Sequence, residues 1–236
     1  MSKPCWPFTL NAPLAQQLGL VGYWPAPPSG VASLQDLSGN NNHLPLFGGP
    51  AWVAGNGGCE AIKLLKTPPQ YAKGLAVIIA AAPCTICCWA KPLSINAGSG
   101  SLMALGVDGG IANRFNLIVR SSDGLLNAQA TSPTTGTTAA HSASPLTINN
   151  WYHCCGVFAS TTSRKSYLNG VPGAEDTTLC EVNNPSQVLV GRAASNNTHH
   201  CNGIIEDVCV FNRVLTDAEI ASLVDPATRW AMRVQA

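Results

Sequence analysis

The sequence predicts an all-β fold. Short apolar runs recur along the chain between clusters of Gly, Ser, Asn, Pro and Asp, only one segment carries a helical pattern, and Asn169-Gly170 lies between two such runs. Asn-Gly is the strongest hairpin signal in the chain, because a tight type I′ turn needs positive φ at both central residues. Many short strands with turn chemistry between them make a sandwich or barrel the default architecture. At 236 residues the chain fits one domain, since all-β sandwiches commonly run to about 200–250 residues.

Taken in order, residues 1–18 hold Pro4, Pro7 and Pro13 and two aromatics, Trp6 and Phe8, without periodicity. They read as an extended arm whose aromatics seek a partner surface. Residues 20–24 form a first strand that the Pro- and Gly-containing stretch 25–30 breaks. Asp36, Ser38, Gly39, Asn40 and His43 belong to a turn, with side chains suited to local backbone bonds and positive φ. Further strands are expected at 61–65, 76–80, 84–90, 102–107, 115–119 and 125–130. The apolar run 74–83 is too short to span a bilayer and reads as a buried strand. The helix starts at Thr216, where Thr216 and Glu219 make a capping box, and Pro226 ends it. In the tail, 226–236, Trp230, Met232 and Val234 alternate and give a strand-like segment one apolar side.

Two stretches then narrow the fold. The first combines Trp151, Tyr152 and His153 with Tyr167, Leu168, Asn169 and Gly170; the second runs from Gly203 through Glu206, Asp207 and Val208 to Phe211, Asn212, Arg213 and Leu215. In this order they resemble the closing strands of the laminin-G-like, concanavalin A-like lectin domains. The 36–43 loop after Val21, Gly22, Tyr23 and Trp24 resembles their opening. The resemblance implies a two-sheet antiparallel jelly-roll β-sandwich with one short C-terminal helix: an arm at 1–18, the sandwich at 19–225 and a tail at 226–236. It also implies binding more often than catalysis.

Charged residues make up 11% of the chain and the net charge is +1. No run of Lys or Arg exists to track a phosphate backbone, so neither nucleic acid nor a membrane is expected as partner. The N-terminus lacks the apolar core of a secretory signal. Among ten cysteines, Cys84, Cys87 and Cys88 lack the second Cys pair a zinc ribbon needs, and Cys87, Cys88, Cys154 and Cys155 lie in β-rich runs. Buried thiols are the expectation, in preference to a disulfide framework.

The resemblance includes glycoside hydrolases, which need two carboxylates flanking one glycosidic bond. Glu206 and Asp207 are consecutive and on an unbroken strand would point to opposite faces, so no catalytic residue is assigned. Glu206 would share a face with Val208 and Val210, and a buried carboxylate there calls for a partner; Arg192 is the candidate. His153 reads as a hydrogen-bonded core histidine. The residues His199, His200 and Cys201, next to Asn196 and Asn197, read as a polar loop, since consecutive residues seldom chelate one ion. Calcium is the cofactor the resemblance would bring, with Asp108 and Asp123 as ligands; they stand in separate loops, against the six to eight oxygens calcium takes, so no cofactor is expected.

These readings leave a non-catalytic structural or adhesive module. The leading expectation is a virion-surface component, a phage capsid decoration or fibre-associated protein, docking on a capsid or other virion protein through Trp6, Phe8, Trp230, Met232 and Val234 and homo-oligomeric on the particle. The other is a lectin that binds a host-surface glycan through rim loops, with Asp36, Asn40, His43, Asn196, Asn197, His199 and His200 as contacts.

Overall fold

The computed structural model describes residues 8–26, 30–95, 100–107, 110, 112–194, 199–229 and 231–235, with the side chains of Phe8, Val234 and Gln235 left aside. Across the first sheet run Gly136–Pro145 (β12), Leu125–Ser132 (β11), Arg114–Val119 (β10), Gly100–Gly106 (β9), Gln187–Val190 (β16), Tyr71–Leu75 (β7), Leu44–Phe47 (β4) and Ser33–Leu34 (β3). The second is Val171–Pro172 (β15), Ser163–Leu168 (β14), Tyr152–Ser160 (β13), Cys84–Pro92 (β8), Gly203–Phe211 (β17), Glu60–Leu64 (β6) and Ala51–Ala54 (β5), with Leu20–Trp24 (β2) paired to β17. All these pairs are antiparallel. The expected two-sheet sandwich is the fold.

Alternation builds the interior. Phe115, Leu117, Val188 and Val190 of the first sheet meet Ile62, Leu64, Ile86, Ile205, Val208 and Val210 of the second. Each such side chain contributes about 1.5–3 kcal/mol on burial. A Cβ at Gly156 would stand 2.9 Å from Leu117 Cδ2 and 3.1 Å from Ala128 Cβ, so this glycine lets the sheets approach. The Asn169-Gly170 turn has φ of 51° and 80°, and it docks on the neighbouring strand: Asn169 Oδ1 accepts from His153 N at 2.9 Å.

A second core lies on the far side of the second sheet, where Tyr23, Cys87, Cys155, Tyr167 and Phe211 meet Leu18 and Ile220 from two helices, Ala12–Leu18 (α1) and Asp217–Ser222 (α2), and Leu223 at the end of the second. The extended arm expected at 1–18 is corrected over its described part, residues 8–18. Asn11 accepts from Leu14 N at 3.4 Å, Pro13 sits in the first turn, and Gly19 ends α1 at φ 70°. Before it, Phe8–Leu10 (β1) pairs with Arg233–Gln235 (β18). Met232 is buried in the second core. Arg233 donates to the Tyr23 hydroxyl at 2.7 Å and pairs with Asp207, which also accepts from Tyr23 at 3.0 Å. Burial pushes the Tyr23 hydroxyl above the ordinary phenol range, against the Arg233 charge. Trp6 and Trp230 lie outside the described residues.

One more expectation changes, and the expectation of buried thiols holds for the free cysteines and fails at Cys59. The run 74–83 is not a buried strand: the strand is Tyr71–Leu75, its pairing ends beside Gln187, and Leu75 and Val77 are 72% and 59% exposed. Cys59 is disulfide-bonded, whereas Cys84, Cys87, Cys88, Cys154, Cys155, Cys180, Cys201 and Cys209 are free and buried.

The capping box of α2 yields a pH prediction. Glu219 bonds Arg213 Nη2 at 2.6 Å and Thr216 N at 2.8 Å, and the Arg213 hydrogen bond brings its carboxyl down from 4.5 to about 2, against desolvation. A carboxyl depressed in the folded state contributes stability above its unfolded pKa and loses it as pH falls through the folded one. Both side chains are about 30% exposed, so about 1 kcal/mol is expected. In urea unfolding from pH 7 down to 2, Glu219→Gln should start about 1 kcal/mol below wild type and converge with it between pH 4.5 and about 2.

Candidate functional site

The 36–43 loop follows from one carboxylate. Asp36 is buried; its Oδ1 accepts from Tyr23 N at 3.1 Å and Ser38 N at 2.9 Å, and its Oδ2 from Asn42 N at 2.9 Å. His43 Nδ1 accepts from Asp36 N at 3.0 Å, and Trp24 Nε1 donates to Asn42 O at 2.7 Å. Gly39 and Asn41 take the positive φ values, 92° and 56°, that let the chain fold back on β2. Asn40 Nδ2 donates to Val21 O at 3.0 Å and to Ser38 Oγ at 3.2 Å. The loop is fixed at both ends and along its middle.

Facing it is the segment where β7 leaves its sheet. Ala76 N donates to Ser186 O at 3.0 Å, after which the chain turns away and leaves Val77 exposed. Between the two runs an open groove of about 450 Å³, lined by Val21, Asn40, Asn42, Leu75, Ala76, Val77 and Ile78. Its walls hold aliphatic carbon and two carboxamides, and no charged side chain among the described residues lines it. Asn40 keeps its amide oxygen, and the Asn42 carboxamide has no partner among the described residues. A wall of this kind can pack the C–H face of a neutral ring while its amides give and accept hydrogen bonds.

Of the glycan contacts expected from sequence, Asn40 borders the groove. Asp36 and His43 hold the loop in shape, and Asn196 and Asn197 lie outside the described residues. His199 is exposed at φ 54°, away from the groove; partial burial lowers its imidazole pKa, helped by the charges of Arg114 and Lys66. His200 is buried, with its ring 5.9 Å from that of Tyr71. Asn42 and the 75–78 wall were missed. The Asn40, Asn41, Asn42 run was the available signal for the first; nothing in a string of Leu, Ala, Val and Ile marks the second as exposed.

The ion pair expected between Arg192 and Glu206 is replaced by other contacts. Asp207 sits at φ 51° in an irregularity of β17, so Ile205, Val208 and Val210 face the interior while Glu206 does not share their face. Glu206 Oε1 accepts from Asn56 N at 3.2 Å, beneath Gly55, where a Cβ would overlap its other oxygen. Arg192 instead lies 4.7 Å over the ring of Tyr71, which stacks on Phe47 at 4.9 Å. His153 is in the core as expected, edge-on to Trp89 at 5.5 Å, but its Nδ1 has no hydrogen-bond partner among the described residues. Asp123 is engaged by Arg120 and by Leu125 N at 3.1 Å. Asp108 lies outside the described residues, among which no group of three or more His, Cys, Asp or Glu is placed to hold a metal ion.

Two facing antiparallel sheets packed over one core define a lectin-like β-sandwich. The family model described as the concanavalin A-like lectin/glucanases superfamily matches residues 70–221, and the chain belongs to that family. No curated protein sequence matches significantly. Among solved structures the chain is similar to domain 4 of AbnA, a GH43 extracellular arabinanase from Geobacillus stearothermophilus, in complex with arabinotriose: 16% identity, 87% of this chain and 98% of that one covered, TM-score 0.71. It is also similar to the binding domain of Paraclostridial Mosquitocidal Protein 1 (18% identity, 89% and 52% covered, TM-score 0.68) and to that of botulinum neurotoxin serotype D (14%, 87% and 51%, 0.66). The chain spans about half the length of these two toxin chains. At such identities the likeness is one of fold.

Proposed function

We propose that the chain is a non-catalytic sugar-binding module that takes a neutral glycan in the groove between the 36–43 loop and residues 75–78. The observation that carries this reading is the open, uncharged groove in which Asn40 and Asn42 stand opposite exposed Leu75 and Val77. A loop held by Asp36 needs little ordering on binding, which is where affinity for a small ligand is otherwise lost. The arabinotriose held by the AbnA domain makes that neutral oligosaccharide the first probe. Attachment to a virus particle through the termini, the leading expectation from the sequence, has against it that β1 and β18 pair with each other and that Met232 lies in the second core. The described parts of these segments pack on the domain itself, which supports the sugar-binding reading.

A glycan array with wild type and two variants, Asn42→Ala and Val77→Asp, tests the proposal. Both positions are solvent-accessible and each change is expected to move stability by about 0.5 kcal/mol or less. Binding of neutral glycans should fall at least about tenfold in each, the loss of roughly one hydrogen bond or apolar contact. Variants that bind as wild type does would refute the groove.

A further inference from the structure

On the far side of the second sheet, paired residues form one cross-strand row: Tyr167 on β14, Cys155 on β13, Cys87 on β8, Cys209 on β17 and Tyr23 on β2. Cys87 therefore lies between two thiols. Directly opposed residues of an antiparallel pair have Cα atoms about 4.5–5.5 Å apart, inside the roughly 4.4–6.8 Å that a disulfide spans. Cys87 and Cys209, but not Cys155, line a small cavity of about 20 Å³ with His153 and Asp207. That is room for a molecule the size of water or hydrogen peroxide, and for little more. The cavity is roofed by Met232 and Arg233 of the C-terminal segment, whose strand pairing is three residues long. His153 brings a buried imidazole to the cavity wall, and its Nδ1 has no partner among the described residues.

We propose that Cys87 and Cys209 are a peroxide-reactive dithiol that closes to a cross-strand disulfide. The Cys87 thiolate, its proton held by His153, attacks one oxygen of hydrogen peroxide. The O–O bond breaks, Cys87 becomes a sulfenic acid, and the departing hydroxide takes the His153 proton and leaves as water. The Cys209 sulfur then displaces the sulfenic hydroxyl, which leaves as a second water with the Cys209 proton. Two thiols are oxidised by two electrons and one peroxide is reduced to two waters. The three thiols differ in the sense this requires. The neighbouring Cys209 thiol and, against opposing desolvation, the His153 imidazole hold Cys87 below the ordinary thiol range, while burial pushes Cys155 and Cys209 above it.

The test treats the intact native chain with one equivalent of hydrogen peroxide at neutral pH, blocks remaining thiols by alkylation, and maps unreduced peptides by mass spectrometry. The expected product is a Cys87–Cys209 cross-link formed with loss of two thiols and reversed by dithiothreitol. Cys209→Ala should stop at a Cys87 sulfenic acid trapped by dimedone, and His153→Gln should slow the reaction at least about tenfold. A cross-link from Cys87 to Cys155, no cross-link, or one that forms only after denaturation overturns the proposal. If a variant does not fold, the wild-type peptide map alone decides.

Discussion

Asp36→Ala is expected to cost about 2–4 kcal/mol and to abolish sugar binding, because one buried carboxylate serves three backbone N–H groups. Tyr23 N, Ser38 N and Asn42 N each lose their acceptor, and an unpaired buried donor costs about 1–3 kcal/mol, less where the loosened loop lets water in. That carboxylate holds Asn42 directly and Asn40 through Ser38, whose N–H it also binds, so without it the two amides would lose the placement that lines the groove with Leu75 and Val77. Asp36→Asn keeps one acceptor oxygen and should fall between. Urea unfolding and array binding on the same samples separate this from Asn42→Ala, which should lose binding with stability kept.

Arg164→Ala should cost about 3–5 kcal/mol, the usual result of breaking one partner out of a buried ion pair, and lower Tm by about 10 °C in a domain of this size. Arg164 is 1% exposed. Its Nη1 bonds Asp176 Oδ2 at 2.6 Å and the Thr138 hydroxyl; its Nη2 bonds Thr161 O at 3.0 Å and Thr178 O at 2.6 Å. One guanidinium thus ties β12, β14 and the segment around Asp176 together. Replacing both charges, Arg164→Met with Asp176→Leu, should recover part of the loss, since no unpaired carboxylate remains. Calorimetry on the single and double variants decides. A single variant within about 1 kcal/mol of wild type would show that the contacts are idle.

The sequence made the sandwich legible because alternation, turn residues and the capping box are local signals, each with one structural reading. The same kind of signal was present for α1, in Asn11, Pro13 and Gly19, but proline-rich aromatic surroundings outweighed it. What the sequence hid was set by neighbours. The irregularity at Asp207 moved Glu206 off the face of Val208 and Val210, and no residue type announces such a break. Exposure of Leu75 and Val77 depends on where β16 stops pairing, which an apolar run does not reveal. The groove was half legible for the same reason: its amide wall is turn chemistry, its aliphatic wall is topology.

The most direct measurement is a nuclear magnetic resonance titration of the nitrogen-15-labelled chain with a neutral oligosaccharide that binds on the array. The side-chain amide signals of Asn40 and Asn42 and the backbone signals of residues 75–78 are expected to shift together and saturate at one ligand concentration. Shifts confined to other surfaces, or binding that leaves those signals unmoved, would contradict the assignment of the groove as the sugar site.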